Sequence, residues 1–118
     1  MTSGFMLDTD TVSWALRGQG AVSAHVLEYR PSQLCISSIT LAELRYGADA
    51  KESRKLHGLI ATFIESVRVL PFDQAAADQF GPVASALAKR GEPIGTCDTL
   101  IAAHALSCRL TLVTNNTK

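Results

Sequence analysis

Gly4-Phe-Met-Leu-Asp-Thr-Asp-Thr-Val-Ser-Trp-Ala-Leu-Arg-Gly18 passes from a short apolar run to a carboxylate, and from there into a helical pattern. Residues 4–7 read as a buried strand, and Asp8 as the turn that follows it. Residues 10–18 read as a helix, with Asp10 or Thr11 near its start and Gly18 as its stop. A strand that hands over to a helix through an acid is the repeating unit of a parallel sheet. It also leaves Asp8 just beyond the carboxyl end of the strand, where ligands bind in open α/β sheets.

The same alternation continues along the chain. Residues 21–29 form a second helical candidate closed by Pro31, and Leu34 to Ile39 a second strand. A helix then opens at Thr40 and runs to about Ala50. Residues 53–67 make a longer helix with Leu56, Leu59, Ile60, Phe63 and Val67 on one stripe. Residues 67–71 read as a third strand ended by Pro71. An Ala-rich helix starts at Asp73, is expected to kink or divide at Gly81-Pro82, and stops at Gly91. After a loop at 92–96, Asp98 opens a helix to Ser107, and Leu110 to Thr114 is a last strand. Such alternation predicts one α/β domain over residues 1–118, with a parallel sheet and right-handed crossovers. No internal repeat, low-complexity tract or interdomain linker interrupts it.

A chain of 118 residues with 47% hydrophobic content suffices for one core and excludes a disordered tail. No apolar run approaches the roughly 18 residues of a membrane span. The start lacks a basic region and meets an acid at Asp8, which argues against a secretory signal. Cys35, Cys97 and Cys108 are odd in number and lack CxxC spacing, which argues against a disulfide framework or zinc knuckle and for the reducing cytoplasm. The net charge is zero, with 11 basic and 11 acidic residues. If Asp8, Asp10, Glu43 and Asp98 surround a cation, 7 acids remain against 11 bases, a balance compatible with a nucleic-acid partner.

Asp8, Glu43, Asp98 and Asn116 have 34, 54 and 17 residues between them, so only the fold can gather them. Asp8 and Asn116 follow strand ends, Glu43 lies in the first turn after the second strand, and Asp98 opens the helix before the last. All four share one predicted sheet edge. Converging oxygen donors suit Mg²⁺ or Mn²⁺, ions that commonly serve phosphoryl chemistry. Asp8, Glu43 and Asp98 are the metal ligands in this reading, with Asn116 assisting. Asp10, Thr40 and Thr114 are supporting groups at the same edge, and Arg45 is a candidate phosphate contact.

Each residue also has a plainer reading. Asp8 and Asp98 suit helix caps, and Asp10 suits a helix N-terminus. Thr40-Leu-Ala-Glu43 is a capping box in which Glu43 bonds back to the Thr40 N–H. Asn116 follows Asn115 in ordinary turn chemistry. Ser38 and Thr40 are strand-end hydroxyls, and Lys51, Arg54 and Lys55 a solvated face. His25 and His57 read as surface or boundary residues, and His104 points away from the proposed metal. The conjunction of the acids at one edge, rather than any one of them, favours a site.

Five motifs in order then carry a resemblance. Met6-Leu-Asp-Thr-Asp-Thr11, Ile36-Ser-Ser-Ile-Thr-Leu-Ala-Glu-Leu-Arg-Tyr-Gly-Ala48, Leu70-Pro-Phe-Asp73, Ile94-Gly-Thr-Cys-Asp-Thr-Leu-Ile-Ala-Ala-His-Ala105 and Leu112-Val-Thr-Asn-Asn116 span nearly the whole chain. Together they resemble the PIN-domain ribonuclease toxins of the VapC type. The resemblance implies an α/β/α sandwich, a metal-dependent endoribonuclease of a type II toxin–antitoxin pair, a VapB-like antitoxin and a homodimer. It carries the acidic site onto Asp8, Glu43 and Asp98, with Asn116 where many PIN domains have an acid. Members with a Met-Leu-Asp-Thr start often cut tRNA. Asp10 stands where that branch often has Asn, and Cys97 where an aromatic or Asn is frequent. Relatives continue past the position of Lys118 with an acidic-Phe pair, a short helix and an edge strand, so the C-terminal edge of the domain is expected to be incomplete.

Two other functions remain open at this stage. A truncated, non-catalytic module would bind its partner through an apolar groove between the helices at 10–29 and 40–67. A phosphatase would use Asp8-Thr9-Asp10 as nucleophile and acid, although no Gly-Asp-containing acidic motif follows near the C-terminus.

Overall fold

The computed structural model describes residues 4–17, 33–92 and 94–114. Four strands form one parallel sheet in the order β3-β2-β1-β4: β1 is Phe5–Leu7, β2 Leu34–Ser37, β3 Arg68–Leu70 and β4 Thr111–Val113. Five helices accompany them: α1 Thr9–Leu16, α2 Ser38–Ala50, α3 Arg54–Ser66, α4 Gln74–Lys89 and α5 Thr96–Ser107. The predicted helix at 21–29 and the residue Asn116 lie outside the described residues.

Alternation along the strands divides the interior into two layers. Met6 pairs with Cys35 on one side and Leu112 on the other, and Leu7 with Ile36 and Val113. Leu7, Ile36 and the partly buried Val69 and Val113 pack with Val12, Leu44 and Ile60 against α1, α2 and α3. Met6, Cys35 and the partly buried Leu70 and Leu112 face the opposite way, onto Ile101 and Ala105 of α5. Both faces of the sheet are therefore covered, which is why its strands read as unbroken apolar runs. The sandwich expected from the resemblance is the one observed. Burial also drives the Cys35 thiol up to about 11, so it stays protonated as a core residue.

Three boundaries differ from the sequence expectation. The second strand stops at Ser37 rather than Ile39, because the Ser37 hydroxyl accepts the Ile39 N–H at 3.0 Å and starts α2 at Ser38. Helix α4 is not divided at Pro82: it runs from Gln74 to Lys89 with the proline inside. A proline's fixed φ is itself helical, so its cost is one lost bond and a local clash, which the packing of α4 along α5 offsets. Helix α5 starts at Thr96 with Gly95 as N-cap, so Asp98 lies within the first turn and is not the cap. Gly91 ends α4 as expected, with a φ of 69°. The Glu92 N–H reaches the Leu87 carbonyl and the Gly91 N–H that of Ala88, a closure that needs a left-handed residue.

Candidate active site

The Asp8 main chain extends the sheet by one step, its N–H donating to the Val113 carbonyl at 3.0 Å. Its side chain is 8% exposed, and Oδ1 accepts the Thr11 N–H at 2.9 Å as the N-cap of α1. The capping alternative is thus correct without excluding a ligand role. A carboxylate offers about four lone-pair positions, and the cap uses one while fixing the direction of the rest. Replacing Asp8 separates the two roles. Asp8→Asn should keep the cap and the melting temperature, whereas Asp8→Ala should cost about 1 kcal/mol of stability. Chemical denaturation of the two variants checks this, and both should lose the metal affinity proposed below.

Glu43 does not bond back to Thr40 as a capping box would require. Helix α2 begins two residues before Thr40, with Ser37 as its N-cap, so Thr40 is its third residue and cannot be the N-cap of such a box. Glu43 Oε1 instead accepts a short hydrogen bond from Thr9 Oγ1, which also lies 3.4 Å from the buried Thr40 Oγ1. Thr9, between the two aspartates of the motif, therefore braces Glu43 from α1. Sequence reading passed over it; its place between two acids was the only available signal. Thr11 likewise ties α1 to β4, its hydroxyl donating to the Val113 carbonyl at 3.3 Å.

Asp98 comes to the same edge from α5. Partial burial, followed by the charges of Glu43, Asp10 and Asp8, raises its carboxyl above the ordinary range. Every cause acts in the raising direction, and no lysine or arginine opposes them. Asp10 is exposed in the first turn of α1, close enough to contribute. The thiol of Cys97, also at this wall, is raised by burial, by donation to Glu43, and by the charges of Glu43 and Asp98. It remains a thiol and adds no nucleophile.

The chemistry of the donor set suits a hard divalent ion: Asp98 feels the charges of Glu43, Asp10 and Asp8, and among the described residues no lysine or arginine offsets them there. Like charges so placed destabilise one another unless a cation intervenes. Among the described residues, no three His, Cys, Asp or Glu side chains close to ligating distances.

The other candidates fall elsewhere. Thr114 is exposed directly after β4, at the same edge. Arg45, two residues beyond Glu43, is turned from it by about 200° of helix. Its Nη1 lies 2.7 Å from Nδ1 of the half-buried His57 and 3.4 Å from the His57 carbonyl, while His57 Nε2 lies 2.8 Å from Asp49 Oδ1. Arg45 is thus a clip between α2 and α3 rather than a phosphate contact at the carboxylates. Ser38 accepts the Phe72 N–H at 3.0 Å, a structural use that leaves it no evident role at the site.

The fold is that of a three-layer α/β protein with a four-stranded parallel sheet. The family model described as PIN domain matches residues 5–118, and the chain belongs to that family. It is 37% identical over 115 residues to the tRNA(fMet)-specific endonuclease VapC of Shigella flexneri, covering 97% of this chain and 87% of that protein. It is 35% identical over 113 residues to Ribonuclease VapC2 of Haemophilus influenzae, covering 95% of this chain and 86% of that protein. Among solved structures, DNA-bound VapBC from Salmonella typhimurium is similar with a TM-score of 0.82 at 38% identity, over 98% of this chain and 88% of that one.

Proposed function

We propose that this chain is a metal-dependent endoribonuclease toxin that hydrolyses RNA phosphodiester bonds, with tRNA as the leading substrate. The charges of Glu43, Asp10 and Asp8 acting together on Asp98, with no described lysine or arginine to offset them, carry this reading. Family membership and relatives named as ribonucleases support it. Mg²⁺ or Mn²⁺ would be held by the three carboxylates, with Asn116 assisting from beyond β4. When bound, such an ion supplies charge stabilisation for the phosphodiester and increases the acidity of a nearby water. Asp8 is aimed by the Thr11 N–H and Glu43 by the Thr9 hydroxyl, so two ligands are oriented in advance. Asp98, on a third element, completes the set.

A VapB-like antitoxin is the proposed partner. The solved relatives titled VapBC support it, as does a groove between α1, α2 and α3. Leu16, Leu44 and Leu56 give this groove apolar walls, Arg17 and Lys51 add positive charge, and Glu43 of the candidate site lines it as well. An amphipathic segment carrying acids would satisfy both features. The homodimer and the cytoplasmic setting are proposed with it. The setting is supported by three unpaired cysteines and by the absence, among the described residues, of a helix long and apolar enough to cross a membrane. The phosphatase reading is set aside, since the chain belongs to the PIN family. Incubation with end-labelled tRNA should give discrete fragments with Mg²⁺ or Mn²⁺ and none in excess chelator. No fragments from folded, metal-loaded protein would favour the non-catalytic module.

A further inference from the structure

Helices α2 and α5 supply Glu43 and Asp98. Besides the Cys97 thiol's donation to Glu43, a buried hydrogen bond ties α5 to the N-cap of α2. His104 Nδ1 lies 2.8 Å from Ser37 Oγ, between side chains 67 residues apart in sequence and 1% and 0% exposed. Ser37 is the N-cap of α2, its oxygen already accepting the Ile39 N–H. Its one hydroxyl proton is therefore available to Nδ1, and both groups are satisfied. The joint is closed from a third side. Phe72 meets His104 edge-to-face, with ring centroids 5.4 Å apart, and donates its N–H to Ser38, the next residue along from Ser37.

The spacing gives this joint its consequence. Glu43 stands six residues after Ser37, and Asp98 six residues before His104. Six residues is about 9 Å of helix rise. Each carboxylate is thus displaced by about 9 Å of axial rise from its end of the bonded pair, along its own helix. A shift or rotation of one helix at the pair would move one carboxylate against the other. An apolar pair of the same shape would fill the space but would not fix the rotation, because a hydrogen bond is directional and apolar contact is not.

We propose that His104 is a positioning residue that sets the separation of Glu43 and Asp98 through Ser37, and so the affinity of the carboxylate site for a divalent ion. This rests on the nuclease reading for its effect on turnover, but its effect on metal binding stands separately.

The test uses the full chain with His104→Ala, His104→Asn, His104→Gln, Ser37→Ala and the double variant His104→Ala/Ser37→Ala. Mn²⁺ affinity is read from the free-ion electron spin resonance signal, and tRNA cleavage gives kcat and KM. Partners that orient ligands typically change metal affinity or activity by about 10–100-fold. His104→Ala should therefore weaken Mn²⁺ binding and lower kcat within about that range, with KM for tRNA little changed. His104→Asn, whose amide reaches the Nδ1 position, should restore most of the loss, and His104→Gln should not. Ser37→Ala also loses the Ile39 cap, so its effect should equal or exceed that of His104→Ala, and the double variant should be no worse than Ser37→Ala, because the two residues share one bond.

Equal Mn²⁺ affinity in the Asn and Gln variants, or wild-type affinity in His104→Ala, would overturn the proposal. If His104→Ala fails to fold, the Asn and Gln comparison decides it, since both keep a polar side chain at the joint. Mn²⁺ binding without cleavage by the unsubstituted chain would overturn the nuclease reading alone, and the affinity series would still decide the role of His104.

Discussion

Asp98→Asn should abolish RNA cleavage while leaving the fold intact, with a loss of about 100-fold or more, since partners outside the ligand set already cost up to that much. Asn keeps the size and an oxygen but removes the charge a divalent ion requires. The side chain is exposed in the first turn of α5, with Gly95 capping the helix, so no cap or core contact is lost. Stability should move the other way. Asp98 in the metal-free protein is destabilised by burial and by Glu43, Asp10 and Asp8, and Asn relieves that repulsion. The melting temperature without metal should therefore equal or exceed that of the unsubstituted chain. Retained cleavage in Asp98→Asn would contradict the site, and a large fall in melting temperature would show that Asp98 is structural.

Metal should stabilise the protein strongly at neutral pH and scarcely in acid. Because the folded-state value of Asp98 is raised above that of an ordinary aspartate, the native state holds more protons than the unfolded state in the window between them. Stability without metal thus falls as pH rises through that window, and above it the full repulsion remains. A divalent ion at about 100 times its dissociation constant adds about 2.7 kcal/mol, or about 10 °C for a domain of this size. Near pH 4 the raised Asp98 carboxyl takes up its proton and the ion loses that ligand, so the shift should shrink to about 2 °C or less. Scanning calorimetry at pH 7.5 and pH 4, with Mn²⁺ and with chelator, checks this. Equal shifts at both pH values would place the bound ion away from Asp8, Glu43 and Asp98.

Much of this architecture could be read from the chain because each strand is an apolar run that ends at a polar residue. Leu7-Asp8 and Leu70-Pro71 mark their boundaries sharply. The start of α2 was less legible: Ser37-Ser-Ile-Thr40 offers three hydroxyl caps in four residues, and the apolar Ile39 prolongs the look of a strand. Only the backbone decides that Ser37 takes the cap. Pro82 misled for a related reason, since its cost is local while the support from α5 is tertiary. At the candidate site, Glu43 stands in the second turn of α2 rather than the first, whereas Asp8 and Asp98 were legible as strand-end and first-turn acids. The brace from Thr9, the diversion of Arg45 to His57 and the link from His104 to Ser37 were not. Each depends on a partner between 12 and 67 residues away, and no local pattern encodes such a pair.

The most direct test of the central claim follows end-labelled tRNA cleavage across a Mn²⁺ titration of chelator-stripped protein, with free Mn²⁺ read in the same samples. Half-maximal cleavage should fall at the concentration that half-fills a site missing from Asp98→Asn. Full cleavage in excess chelator, or cleavage that rises with no such site filling, would contradict a carboxylate-held ion as the agent of RNA hydrolysis.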